Sequence, residues 1–243
     1  MSNGLDIRAA VFDVFGTVVD WRGSIIREGR ALQARTGLAA DWPALADAWR
    51  AGYVPAMQRV MDRLRDDGAS GWASIDTLHR EILDVILPRF GLQGLDDAQR
   101  QDFNQVWHRL APWPDSVAGL QRLKARMPIA TLSNGNVALL LDMARHGGLP
   151  WDTIFSAELF RAYKPHPSVY RGAAALLGLA PQQVLMVAAH PADLAAAQQA
   201  GLRTAYIPRP AERGEGGWME PVGELRFDVT EPDFTALAAR LGG

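Results

Sequence analysis

Short, largely apolar runs recur along this chain between longer stretches in which apolar positions return every three or four residues. The runs at 9–14, 129–132, 184–188 and 204–207, with a weaker one at 227–229, have the length and composition of strands buried on both faces. Between them the helical period shows at 114–126, 136–146, 168–178 and 191–200, with Pro114 placed to open a helix and Gly201 to close one. Strands alternating with helices predict an α/β fold whose mostly parallel sheet is covered on both faces.

Residues 22–110 break this alternation. They carry the helical period at 24–36, 42–66, 75–90 and 96–109 and no convincing strand, with turn signals in "RDDGASG" (65–71) and "RFGLQG" (89–94). A helical block of this size directly after the first strand predicts a second unit inserted into the first. The expected division is a Rossmann-like core of 1–21 and 111–243 with an α-helical cap domain of 22–110. The segment "IPRPAERGEGG" (207–217) reads as a Pro/Gly-rich surface loop.

Composition narrows function mainly by exclusion. The 243 residues suffice for one or two domains with a sizeable core. A formal charge of −2 gives no electrostatic reason to expect nucleic acid or an anionic membrane as partner. The basic stretches 59–65 and 122–126 are interleaved with apolar residues at helical spacing and read as solvated helix faces. Cysteine is absent, which removes disulfides, thiolate catalysis and Cys-ligated metal sites. His79, His108, His146, His166 and His190 are scattered, without the paired spacing of a His-rich metal site. With no signal-peptide pattern and no apolar run of membrane-spanning length, the expected location is the cytoplasm.

Candidate chemistry emerges just past the end of each strand, because ligands of an open parallel sheet bind beyond the carboxyl ends of its strands. Asp13 ends the first strand, and Ser133, Asn134 and Gly135 come after the second. Lys164 lies in "RAYKPHPSVY" after a weak apolar segment at 154–157, and "AAHPAD" (188–193) closes the next strand. Polar groups thus gather on one rim. Each also has a plainer reading: Asp13 as a cap or turn acid, "SNG" as a turn, Lys164 as a loop lysine, Asp193 as an early-helix acid facing the dipole. Trp42, Trp49, Tyr53 and Trp107 read as core of the helical unit, and Trp21 as a hinge or pocket wall. Arg50 falls in a row with Ala46, Val54 (or Tyr53), Met57, Met61 and Leu64. An arginine on such a row either snorkels at its edge or is buried against an anion.

In order and with this spacing, the Asp followed by Gly–Thr, "LSNG", the Lys–Pro and the Asp of "AAHPAD" resemble the haloacid dehalogenase superfamily over nearly the whole length. Phosphatases of that superfamily carry a second acid two residues after the first, which protonates the leaving alkoxide, and hold Mg²⁺ with carboxylates near the fourth motif. Here Phe15 replaces the second acid, and Ala188–Ala189 replaces the usual Gly–Asp pair. A halide departs without a proton, and a mono-carboxylate substrate needs no divalent cation, whereas a phosphoryl dianion does. Both replacements point to carbon–halogen chemistry. Within the superfamily, "FDVFGTVVDW", "DAWR", "LSNG" and "YKPHPSVY" resemble the L-2-haloacid dehalogenase group.

That resemblance implies a set of roles. Asp13 attacks the halogen-bearing carbon to form an ester that water then opens, with Thr17 and Lys164 positioning it. Ser133, with backbone N–H groups near Val14 and Phe15, holds the substrate carboxylate. Arg50 and Asn134 receive the halide, Tyr170 packs or hydrogen-bonds beside the site, and Asp193 is the base or orienter for the hydrolytic water. The pattern departs at Ala188, Ala189 and His190, where members carry serines and an asparagine. His190 either shares the task of Asp193 or narrows the halide pocket toward a small halide, fluoride included. No cofactor and no metal are implied; the partners are a small haloacid and a second copy of the chain in a homodimer. A Mg-dependent phosphatase or phosphonate hydrolase, and a catalytically silent binding protein on the same fold, are the alternatives.

Overall fold

The computed structural model describes residues 6–67 and 71–242. The first apolar run forms β1 (Ala9–Phe12), buried throughout. After a tight loop the chain makes the short strand β2 (Val19–Asp20) and enters four helices, α1 (Trp21–Thr36), α2 (Trp42–Asp67), α3 (Ile75–Ile86) and α4 (Asp97–Asn104). It returns through β3 (Ala111–Pro112), which pairs antiparallel with β2, so the ways out and back are laced into one ribbon. Strands and helices then alternate: α5 (Ser116–Lys124), β4 (Ile129–Ser133), α6 (Val137–Gly147), β5 (Thr153–Ser156), the short α7 (Ala157–Phe160), α8 (Pro167–Leu176) and β6 (Val184–Ala188). The last elements are α9 (Pro191–Gln199), β7 (Arg203–Tyr206), β8 (Val229–Thr230) and α10 (Phe234–Gly242). The architecture is the expected Rossmann-like α/β core with an inserted helical cap.

The core strands run parallel in the order β5-β4-β1-β6-β7-β8. The chain leaves the central β1 toward β4 and β5 on one side and toward β6, β7 and β8 on the other, which places a topological switch point beside β1. Phe12 lies in register with Thr131 of β4 and Val187 of β6. The residues just beyond these strands therefore emerge together at one edge.

Alternate residues of each strand face opposite sides. Val11, Leu132 and Met186 pack with Tyr170 and Leu194 under α8 and α9. Phe12 and Val187 belong to the other cluster, which continues through Val14, Phe15 and Val18 into Trp21, Trp49 and Trp107 of the helical insert.

Several boundaries differ from the sequence expectation, some for an identifiable reason. Helix α1 opens at Trp21, three residues early, because the Asp20 carboxylate caps the Gly23 N–H at 2.8 Å. The stretches expected as helix to 90 and 109 finish instead as 3₁₀ turns at Leu87–Phe90 and Gln105–His108, the first with Pro88 at its start. Pro114 does not open α5. The helix starts at Ser116, and the Asp115 carboxylate in front of it is taken by Arg209 at 2.7 and 2.9 Å and by the Phe234 N–H at 2.9 Å. The weak strand expected at 227–229 is β8, shifted toward Thr230. Gly201 comes after α9 as expected, at φ +97°. Of the turn signal at 65–71, residues 68–70 lie outside the described residues, as do the first five of the chain. No helix among the described residues is long and apolar enough to cross a membrane.

The α5–α10 contact offers a direct test. A Cβ on Gly119 would stand 2.4 Å from the Phe234 Cβ and 2.7 Å from its carbonyl carbon. Gly119→Ala is therefore expected to destabilise the protein by about 1–3 kcal/mol, the usual cost of overpacking. Calorimetry should show a melting point several degrees lower, and an unchanged one would mean the helices are not in this contact.

Candidate active site

Asp13 comes directly after β1 and is 7% exposed. Its Oδ2 accepts a hydrogen bond from the Thr17 hydroxyl at 2.7 Å, and its Oδ1 accepts one from the Lys164 ammonium at 3.0 Å. Thr17 is itself oriented by the Ala189 N–H, which donates to its Oγ1 at 2.9 Å and leaves the hydroxyl proton for Asp13. Burial alone would push the Asp13 carboxyl up. The Lys164 charge, then His190 and Thr17, outweigh that and hold it well below the usual carboxylate range.

Lys164 serves two carboxylates. Its Nζ lies 2.5 Å from Asp193 Oδ2 as well as on Asp13, and the two anions raise its pKa against the opposing effect of burial. Asp193, in the first turn of α9, accepts the Tyr170 hydroxyl on its other oxygen at 2.5 Å. The Lys164 backbone N–H donates to Asn134 Oδ1 at 2.8 Å, which fixes the carboxamide and reserves its NH₂ for other partners.

His190 stands closer to the chemistry than a pocket-lining residue. Its Nδ1 is 3.0 Å from Asp13 Oδ2, and its Nε2 is 3.1 and 3.2 Å from the two oxygens of Glu212. Two carboxylates accept only, so both ring nitrogens carry protons and the side chain is an imidazolium. Burial would lower its pKa; the hydrogen bonds to Asp13 and Glu212 prevail and raise it well above the ordinary imidazole range.

Glu212 is the residue that sequence reasoning missed. It lies in 207–217, read as a surface loop, yet it is 9% exposed and receives the Trp21 indole N–H at 2.9 Å. Arg209 anchors the same loop inward, through the Asp115 pair and through its Nε–H to the Thr17 carbonyl at 2.9 Å. Gly16, at φ +85°, makes room: a Cβ there would fall 2.3 Å from Glu212 Oε1. The signal that could have found it was position, since 207–212 leaves the carboxyl end of β7 on the same rim as the other candidates.

These groups open onto a cavity of about 450 Å³ between the strand ends and α2. Asp13, Phe15, Arg50, Asn134, Lys164, Tyr170, His190 and Asp193 line it, joined by Tyr53 and Met57. Thr17 stands behind Asp13. Val14 and Ser133, expected to hold a substrate carboxylate, are buried and not on the lining; the Ser133 hydroxyl oxygen accepts the Gly135 N–H at 3.2 Å. Phe15 packs edge-on against Tyr53, Trp107 and His79 at centroid distances of 6.2, 5.5 and 6.2 Å. The Arg50 guanidinium lies 4.4 Å from the Tyr53 ring centre and 5.6 Å from that of Trp21. Its Nη1 is buried with no hydrogen-bond partner among the described residues. A buried cationic donor of that kind is a ready place for an anion.

Residues 7–201 match the family of haloacid dehalogenase-like hydrolases. The (S)-2-haloacid dehalogenase 1 of Pseudomonas sp. (strain CBS-3) is 31% identical over 84% of this chain and 85% of its own length. The (S)-2-haloacid dehalogenase of Xanthobacter autotrophicus is 30% identical over 84% and 76%. Among solved structures, an L-2-haloacid dehalogenase that is 47% identical superposes with a TM-score of 0.90 over 97% of this chain and 98% of its own. A defluorinating L-2-haloacid dehalogenase, 43% identical, gives 0.91 over 98% and 96%. With the motifs on one rim of the sheet and relatives of this kind along nearly its full length, the chain belongs to the haloacid dehalogenase-like hydrolases, in their L-2-haloacid dehalogenase group.

Proposed function

We propose that this protein hydrolyses short 2-haloalkanoic acids, as (S) enantiomers where C2 is chiral, to 2-hydroxy acids and halide, with Asp13 as nucleophile. One Asp13 oxygen attacks C2 opposite the halogen; the carbon–halogen bond breaks, the halide leaves with its electron pair, and C2 inverts. Water then adds to the carbonyl carbon of the aspartyl ester. The acyl–oxygen bond breaks, the 2-hydroxy acid leaves with the former Asp13 oxygen, and the oxygen of water stays in Asp13. The net products are the hydroxy acid, halide and one proton.

One observation carries this reading. A carboxylate held ionised and a buried guanidinium N–H without a partner share a cavity, while the position two residues past the acid is filled by Phe15. Asp13 supplies the electron pair, Arg50 and the Asn134 NH₂ receive the departing anion, and Phe15 offers no proton because a halide needs none. Asp193, fixed by Lys164 and Tyr170, orients and deprotonates the attacking water. Kinship supports the same chemistry: a solved L-2-haloacid dehalogenase of Xanthobacter autotrophicus, 25% identical with a TM-score of 0.77, carries covalently bound chloropropionic acid.

Residues 22–110 serve as the cap and 1–21 with 111–243 as the core, a division supported by the β2–β3 ribbon between Asp20 and Ala111. The proposal includes a homodimer, as the resemblance implies, and a cytoplasmic location. The phosphatase alternative needs an acid where Phe15 is wedged among aromatic rings and a ligand where Ala189 stands.

The wild-type protein is expected to release halide from at least one of chloro-, bromo- and fluoroacetate and the 2-chloropropionate enantiomers, with no loss in EDTA. Chelator-sensitive phosphate release without halide release would favour the phosphatase. Asp13→Asn should lower turnover by at least about 10⁴-fold, as expected for a removed nucleophile. In ¹⁸O-water over repeated turnovers, the label should enter the Asp13 side chain; an active enzyme without it has no aspartyl ester. Arg50→Lys keeps a charge but loses the planar fork, and kcat/KM should fall by about 10²-fold with folding unchanged.

A further inference from the structure

We propose that Glu212 is a positioning residue for the second half of this reaction: it holds His190 so that the His190 Nδ1–H stays on Asp13 Oδ2 while water opens the ester. The inference rests on the dehalogenase reading above and adds a role that reading does not need.

The two oxygens of Asp13 are not equivalent. Oδ1 has one donor, Lys164, whereas Oδ2 has two, Thr17 at 2.7 Å and His190 at 3.0 Å. The oxygen with fewer donors is the freer to attack carbon, so Oδ1 becomes the ester oxygen and Oδ2 the carbonyl. When water adds, negative charge gathers on Oδ2. Donors already aimed at that atom stabilise the charge without reorganising.

Ester formation also changes what His190 faces. Before it, the imidazolium lies between two carboxylates: Asp13, backed by Lys164, and Glu212, which receives the Trp21 N–H and feels the Arg50 charge. Once Asp13 is esterified it is neutral, and Glu212 is the only carboxylate still bonded to the ring among the described residues. Glu212 therefore keeps both protons on His190 at the stage when the Nδ1–H has an oxyanion to stabilise. Its loop is tethered independently by Arg209, so removing one charge from Glu212 leaves the tether in place.

Glu212→Gln preserves volume and an acceptor for Trp21 while removing the charge. In rapid-quench experiments with a haloacid that wild type turns over, the first-turnover halide burst should match wild type. Steady-state turnover should fall about 10–100-fold, somewhat less than loss of an entire oxyanion donor. The ester should accumulate on Asp13 by mass spectrometry. The activating charge on His190 is present below its raised pKa and lost above it. Removing Glu212 lowers that pKa, so the alkaline limb of steady-state turnover should move to lower pH. In a His190→Asn background the same change should add nothing.

Wild-type deacylation with an unmoved pH profile in Glu212→Gln would overturn the proposal. Equal slowing of the burst and of deacylation, or additivity with His190→Asn, would also overturn it, since either indicates a merely structural role. If Glu212→Gln does not fold, Asp13→Asn provides the test, because its neutral carboxamide imitates the ester. ¹⁵N NMR should then find His190 still protonated at neutral pH, and a neutral ring would overturn the inference. Wild-type protein that releases no halide from any haloacid would instead refute the dehalogenase reading, and this inference with it.

Discussion

The site depends on keeping a dehydrated carboxylate charged. Moving Asp13 out of water favours its neutral form, which has no nucleophilic power, and the protein answers with a cation on each side. The Lys164 ammonium touches Asp13 and Asp193 together, and the His190 imidazolium touches Asp13 and Glu212 together. Charges therefore alternate in a row along and behind the cavity wall: Asp193, Lys164, Asp13, His190, Glu212. Each anion is flanked by a cation and each cation by two anions. Such a row tolerates burial because every member has a partner of opposite sign.

Phe15 answers a different requirement. It occupies the place of an acid in the phosphatase pattern, and its ring also joins the active-site loop to the helical insert through Tyr53 and Trp107. One side chain thus leaves the leaving group without a proton donor and continues the apolar core across the boundary between the two units. The electrostatics of the row need that dry wall, because water entering from α2 would weaken each ion pair.

The sequence alone located the strands, the rim and most of the charged residues on it, because apolar runs and the residues after them are local features. Asp13, Lys164, Asp193 and Tyr170 all appear where the motifs put them. Pairing is a different matter, since it depends on where side chains turn after the backbone has been placed. His190 could be singled out but not connected. Its partner Glu212 lay in a stretch whose Pro and Gly content reads as surface, and only the Arg209 tether turns that stretch inward. Val14 and Ser133 show the converse: residues beside a site in the chain need not reach its wall. Of the boundaries that moved, the one at Trp21 was set by a cap only three residues long, from Asp20 to Gly23, while the Asp115 carboxylate before Ser116 is held by partners far outside any local window.

Gly16 sits against Glu212 with no space for even a methyl group. Position 16 is thus reserved for glycine twice over, by its left-handed backbone and by the acid packed on it. The left-handed backbone would strain any side chain at 16 even without the acid, and a side chain there would also push the Glu212 carboxylate from its present seat.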